Sequence, residues 1–214
     1  MSKSLISLLA VPLALLIGQE AKPIALPAPQ TSGGKPLMQA LKERKSVRDF
    51  GPDQISRQTL ANLLWAAWGV NREDGRRTAP SASNRQEIEV YVVMADGAYV
   101  YDAKANALKP VAPGDLRKLA GTQEFVATVP LNLVYVADTA KMTGGDEAGK
   151  LNWAYADTGF IAQNVYLFCA SEALGAVVRA SIDRAALSKA LNLRPEQRIT
   201  LAQTVGYPKK SAAN

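Results

Sequence analysis

The chain has 214 residues, with 25 lysines and arginines against 19 aspartates and glutamates, no histidine and a single cysteine, Cys169. Without imidazole there is no Ser-His-Asp triad, no Cys-His pair and no histidine metal site. One cysteine excludes CxxC chemistry, zinc fingers, iron–sulfur clusters and an intrachain disulfide. The net charge of +6 permits anionic partners such as phosphate-bearing ligands or acidic lipid, and equally a basic surface with no partner. No Lys/Arg run with interleaved aromatics is present, so nucleic acid is not expected as a partner. An enzyme of this composition needs a bound cofactor to carry its chemistry.

The first element is a leader. Lys3 precedes a 13-residue stretch, Leu5 to Ile17, broken only by Ser7 and Pro12. A basic start, a short apolar run and a polar end make a Sec-type secretory signal over residues 1–21, with Ala21 a possible residue before the cut. The run falls short of the roughly 20 residues that span a bilayer. An uncleaved anchor and a buried first helix are the alternatives. Export implies a periplasmic protein that loads its cofactor outside the cytoplasm. Residues 22–36 hold four prolines and two glycines and read as an extended arm or linker, not a core element.

The domain proper is expected over 37–210, with a short tail at 211–214. Helical spacing runs from Leu37 to Arg44. A second helix is capped by Ser56, presents Leu60, Leu63, Leu64, Ala67 and Trp68 on one face, and closes at Gly69. A long polar loop, NREDGRRTAPSASNRQ, precedes a strand from Ile88 to Met94. Ala98 to Tyr101 is its hairpin partner across Asp96-Gly97. Leu116 to Val126 has weak helical character, and Leu131 to Val136 is a strand. Trp153 to Leu174 is the strongest helix, apolar on most sides, so it must be buried in a core or against another subunit. Ala176 to Val178 is a strand, Arg184 to Leu191 a helix, and Ile199 to Val205 a strand with Ile199, Leu201 and Val205 on one face. Helices and strands intermix without βαβ alternation or a Gly-rich phosphate loop, which predicts an α+β fold.

Four segments can carry chemistry. In ERKSVRDF, an extended chain after Arg44 brings Arg44, Ser46 and Arg48 to one face, two guanidiniums and a hydroxyl suited to a phosphate. In PSASNRQ, small residues admit a ligand to the backbone, and Asn84 offers a donor and an acceptor for a heterocycle's edge. VVRAS can turn backbone N–H groups toward a ligand. GYPKK ends in two lysines able to reach a phosphate. Taken singly, each fits an ordinary helix end, polar loop, strand end or solvated tail as well.

In this order, RKSVRDF, PSASNRQ before a strand, a long apolar helix and a strand ending in VGYP, the chain resembles the nitroreductase family of FMN-dependent oxidoreductases. The resemblance covers roughly residues 37–210, and within the family it looks closest to the SagB-type azoline dehydrogenases. It implies an α+β fold with a mostly antiparallel central sheet flanked by helices, in an interlocked homodimer holding FMN at the subunit interface. It also implies cofactor contacts. Arg44, Lys45, Ser46 and Arg48 match the segment that binds the phosphate and ribityl chain. Ser83 and Asn84 match the loop reaching the isoalloxazine, with Pro80, Ser81 and Ala82 near the partner's flavin and Gln86 closing the loop. Arg179, Ala180 and Ser181 match the turn near flavin N5. Lys209 or Lys210 matches a basic position near the phosphate. No catalytic side chain and no metal are implied. Hydride passes through flavin N5 by ping-pong transfer from NADH, NADPH or another donor to a nitro compound, quinone or similar acceptor. Arg48 or Arg85 would stabilise the reduced flavin. A non-enzymatic flavin binder and a peptide-azoline dehydrogenase are the alternatives. The chain departs from the family pattern in three places: a short C-terminal end, whose partner-embracing role the Pro-rich arm would take; a short Val111–Val129 region; and Ala180-Ser181 in place of an acidic and glycine turn.

Overall fold

The computed structural model describes residues 22–210, so the leader and the four-residue tail expected from the sequence lie outside the described residues. Within it seven strands form one sheet: β1 (Ile24–Ala25), β2 (Ile88–Val93), β3 (Gly97–Asp102), β4 (Ala107–Pro113), β5 (Leu131–Asp138), β6 (Gly175–Arg179) and β7 (Gln197–Gly206). Their order is β1-β4-β3-β2-β5-β7-β6, and every paired neighbour is antiparallel. The helices are α1 (Leu37–Glu43), α2 (Arg57–Trp68), α3 (Glu147–Ser171) and α4 (Arg184–Ala190).

β5 explains the layering. All eight of its residues are buried, and a strand buried on both faces needs cover on both. On one face α2 and α3 pack Leu63, Leu64, Trp68, Ile161 and Val165 against Leu133, Tyr135 and Val205. On the other, α4 and two 3₁₀ turns, Arg117–Ala120 and Glu124–Ala127, cover Val134, Val136, Ile199 and Ala202. The result is an α+β sandwich with the sheet in the middle.

Several boundaries differ from the sequence reading for definite reasons. The Leu116–Val126 region forms those two 3₁₀ turns rather than one helix. β4 was not expected, because its Pro110 and Pro113 lack a donor; the two-residue β1 is its neighbour on the outer side, so it lies close to the sheet edge. α3 begins at Glu147, where the Asp146 carboxylate accepts from Gly149 N–H at 2.8 Å. Gly69 does close α2, but with φ −70°. It is glycine because a Cβ there would stand 2.7 Å from the Trp65 Cα. The three apolar residues of β7 do not share a face: a register shift opposite Val134–Val136 puts Ile199 in one core and Leu201 and Val205 in the other.

The Pro-rich arm belongs to its own subunit's fold. β1 pairs with β4, Leu26 is buried in the core, Gln30 N–H donates to Asn62 Oδ1 at 2.8 Å, and Lys35 N–H donates to Ser171 Oγ at 2.8 Å. It straps the sheet edge to α2 and to the C-terminal end of α3. Among the described residues no helix is long and apolar enough to cross a membrane. The apolar character of α3 is divided. Ala154, Ile161, Val165 and Cys169 are buried, while Trp153, Tyr155 and Phe160 are exposed, as are Leu37, Met38 and Leu41 of α1.

Candidate cofactor site

After α1 the chain extends, and three of the four segments singled out in the sequence come together. Ser46 bridges Ala176 of β6 in parallel, and Val47 N–H donates to Ala176 O at 2.9 Å. Phe50 pairs with Pro208, Gly51 N–H donates to Tyr207 O at 2.9 Å, and Lys209 N–H donates to Asp49 O at 3.0 Å. RKSVRDF is thus laid between β6 and the exit of β7. Gly175 makes this approach possible: a Cβ on it would stand 2.8 Å from the Val47 Cβ.

Tyr166 of α3 organises this RKSVRDF segment, hereafter the arm. Its hydroxyl lies 3.0 Å from Ser46 Oγ, where either group can donate, and accepts from Val178 N–H at 2.9 Å. The Arg44 guanidinium carbon sits 5.3 Å from the centroid of the same ring, a cation–π contact. Arg44 and Ser46 therefore converge on Tyr166, while Arg48, expected from alternation on the same face, is not part of that contact. Lys45 and Val47 line a hollow of about 470 Å³ with Lys42, Tyr166, Ala176 and Pro208. Arg48 lines a neighbouring hollow of about 530 Å³ with Phe50, Phe125 and Val129. Lys45, Ser46, Arg48, Ala180, Ser181, Lys209 and Lys210 are all exposed.

Arg179 is different. Its guanidinium is buried and donates to Ala120 O at 2.8 Å, Asn132 Oδ1 at 2.9 Å and Thr204 Oγ1 at 2.7 Å. Burial without a carboxylate partner brings its pKa down to about 10. Its side chain ties β5, β6 and β7 to the 117–121 turn and faces away from the arm. Only its backbone can serve the cofactor contact expected of it.

The Pro80–Gln86 loop forms a second, separate feature. Ala82 N–H donates to Asp157 Oδ2 of α3 at 2.9 Å, and Gln86 N–H to Ser81 Oγ at 3.0 Å. Ser83, Asn84 and Gln86 have φ of 54°, 53° and 51°. Non-glycine residues held in this region cost about 1 kcal/mol or more each, and such strain concentrates at functional sites. The Gln86 amide is committed inside the loop: its Oε1 accepts from Arg77 Nε at 2.8 Å, and its Nε2 donates to Asn84 Oδ1 at 3.0 Å. Arg77 in turn stacks 5.1 Å from the centroid of the Trp68 ring. Gln86 thus braces the loop, and Ser83 and Asn84 are the exposed residues at its tip.

Two positioning residues escaped the sequence reading: Tyr166 and Asp157. The signal was present, because an aspartate and a tyrosine interrupt the buried face of an otherwise apolar helix. Asp157 and Tyr166 are nine residues apart on α3, about 14 Å at 1.5 Å per residue. In a single chain the loop anchor and the arm anchor are separated by that distance.

The Nitroreductase family model matches residues 41–207, from the end of α1 through β7. The chain belongs to the nitroreductase family. A candidate nitroreductase of Methanocaldococcus jannaschii is 31% identical over 153 residues, covering 66% of this chain and 76% of the relative. A candidate nitroreductase from Ralstonia eutropha JMP134, known from its crystal structure, is 39% identical with a TM-score of 0.84, covering 91% of this chain and 93% of the other. The Escherichia coli microcin synthetase McbBCD complex contains a chain of the same fold at 23% identity, with a TM-score of 0.70 and coverage of 96% and 85%. Membership makes this nitroreductase-family chain an oxidoreductase of the flavin-dependent kind. The β6–β7 edge and the arm fall wholly inside the matched span.

Proposed function

We propose that the chain is an FMN-dependent oxidoreductase, a homodimer that passes hydride by ping-pong transfer from NADH, NADPH or another donor to a small acceptor such as a nitro compound or quinone. The observation that carries this reading is the convergence of Arg44, Ser46 and the Lys209–Lys210 end on one exposed edge, with Ser46 and Arg44 both positioned by Tyr166. These groups fit an anionic cofactor. Arg44 held against the Tyr166 ring, the Ser46 hydroxyl and the exposed lysines beside them suit a phosphate monoester, and the small residues Ala180 and Ser181 leave room for a flat ring beside β6. When bound, FMN supplies two-electron chemistry at N5, accepting a hydride from one substrate and returning it to the next.

The protein's own residues bind and orient. Arg44 and Ser46 hold the phosphate, and Lys45 and Lys209 or Lys210 add positive charge around it. Arg48, or Arg85 on the loop, places a positive field where charge develops on reduction. Ser83 and Asn84 reach the isoalloxazine, with Pro80, Ser81 and Ala82 beside the flavin of the partner subunit. Two features support that last assignment: loop and arm are held about 14 Å apart along α3, and Trp153 and Phe160, two turns apart on one side of the same helix, are exposed. The basic leader with its short apolar run supports export to the periplasm; cell fractionation of the full-length chain tests that placement.

The experiment for the central reading is anaerobic addition of NADH or NADPH to FMN-loaded protein, followed by a quinone or nitroaromatic. Bleaching of the flavin colour and its return on adding acceptor are expected. Bound flavin that neither donor reduces, and that no acceptor reoxidises after dithionite treatment, would make the protein a flavin carrier instead.

A further inference from the structure

Beneath the Pro80–Gln86 loop lies a buried acid pair with no role so far. Glu87 is fully buried, and neither carboxyl oxygen has a hydrogen-bond partner among the described residues. The Asp157 carboxyl faces it within hydrogen-bonding reach. Asp157 is itself 2% exposed, and its Oδ2 takes the Ala82 N–H. Two carboxylates cannot both be ionised side by side in a dry interior, because each raises the cost of charging the other. One proton between them resolves this, and it also gives Glu87 the donor its orphaned oxygens lack.

Other charges around the pair do not replace that proton. Arg85, on the loop, acts on Glu87 in the opposite sense, and weakly beside desolvation. Arg77 is bound to Trp68 O and Gln86. Asp138 of β5 donates its N–H to Glu87 O but turns its carboxylate to Arg194. Lys141 lies against Glu89. From β7, Thr200 bonds Thr158 and brings no charge.

We propose that Glu87 and Asp157 share a single proton and that this proton latches the loop. Neutral Glu87 donates to Asp157, and ionised Asp157 holds Ala82 N–H and with it the strained turn at Ser83 and Asn84. Loss of the proton sets two negative charges under the loop and releases it. Burial first, and Asp157 second, push the Glu87 pKa up to about 7, so the latch weakens as pH rises from the ordinary carboxylate range and is lost by about pH 7. Asp157 is a positioning residue and Glu87 sets its state. The consequence for flavin rests on the proposed function; the latch does not.

The test is hydrogen exchange of the 81–87 segment in cofactor-free protein across neutral pH, corrected for intrinsic exchange. In the wild type, protection falls by up to about tenfold per pH unit between about pH 4.5 and 7, the slope of one linked proton, and levels off above 7. Glu87→Gln, which cannot ionise, stays protected at alkaline pH. Asp157→Ala is unprotected throughout. A wild-type profile parallel to that of Glu87→Gln overturns the latch. Infrared spectra of the wild type decide the matter without any variant: a protonated-carboxyl band at mildly acidic pH that titrates away near neutrality is expected, and its absence overturns the proposal. FMN affinity measured over the same range separates the two readings. If the loop opens as described while FMN affinity does not change, the latch stands and the assignment of the loop to the flavin fails.

Discussion

Tyr166→Phe isolates the contact on which the arm's geometry depends. Phenylalanine keeps the ring under Arg44 and the packing of α3, and removes only the hydroxyl between Ser46 Oγ (3.0 Å) and Val178 N–H (2.9 Å). Two hydrogen bonds at about 0.5–1.5 kcal/mol each, one of them leaving a half-buried N–H unpaired, make the expected loss about 1–3 kcal/mol. For a domain of this size each kcal/mol lowers Tm by about 2–4 °C. Thermal unfolding of the cofactor-free protein reads that term. A flavin titration reads the other: freeing Ser46 and loosening the arm raises the Kd for FMN by about tenfold, equivalent to about 1.4 kcal/mol. Ser46→Ala provides the control. It removes an exposed hydroxyl, so it lowers Tm by little while weakening FMN binding to a similar degree. Because Tyr166 acts through Ser46, the double variant binds FMN no worse than about either single variant. A Tyr166→Phe protein that loses stability but binds FMN normally, or a double variant whose losses simply add, refutes the argument.

Three further outcomes follow from packing and burial. Gly175→Val forces the Val47 side chain away from β6, where even a single Cβ would already stand 2.8 Å off; a loss of about 1–3 kcal/mol or more is expected, measured by denaturant unfolding, together with weaker FMN binding. The Cys169 thiol is buried and its pKa is pushed well up by desolvation, so a thiol reagent labels it only at the rate of unfolding. Glu87 contributes a pH dependence of stability. Its folded pKa of about 7 exceeds the reference of 4.5, so the folded state binds the extra proton between those values. The contribution is complete below pH 4.5 and is lost as pH rises through 7, up to about 3 kcal/mol at 1.36 kcal/mol per unit. Chemical denaturation of Glu87→Gln over that range shows the dependence removed; an unchanged profile contradicts it.

The sequence carried the fold where hydrophobic pattern and caps agreed. Ser56 announced α2, the run from Leu131 announced β5, and Asp96-Gly97 announced the β2–β3 hairpin. It was silent on β4, whose prolines read as loop, and on the bulge that turns Ile199 away from Val205. The Pro-rich arm read as a linker because nothing local shows that Leu26 is buried or that Asn62 and Ser171 receive its backbone. At the site, spacing brought Arg44 and Ser46 to one place. It could not show that the Arg179 side chain turns inward to Asn132 and Thr204, or that Gln86 braces its own loop. Tyr166, Asp157 and Glu87 act through partners 12 to 120 residues away, and such pairings exist only after α3 has docked.

The account's central claim is that the edge formed by the arm, β6 and the end of β7 holds the phosphate of FMN. A titration of cofactor-free protein with FMN, repeated for Arg44→Ala combined with Arg48→Ala and for each at raised salt, tests it most directly. The account predicts a stoichiometric flavin in the wild type, an affinity at least about tenfold weaker in the double variant, and a smaller salt dependence there because fewer cations face the anionic cofactor. A double variant that binds FMN as tightly as the wild type, or a wild-type protein that takes up no flavin, contradicts it.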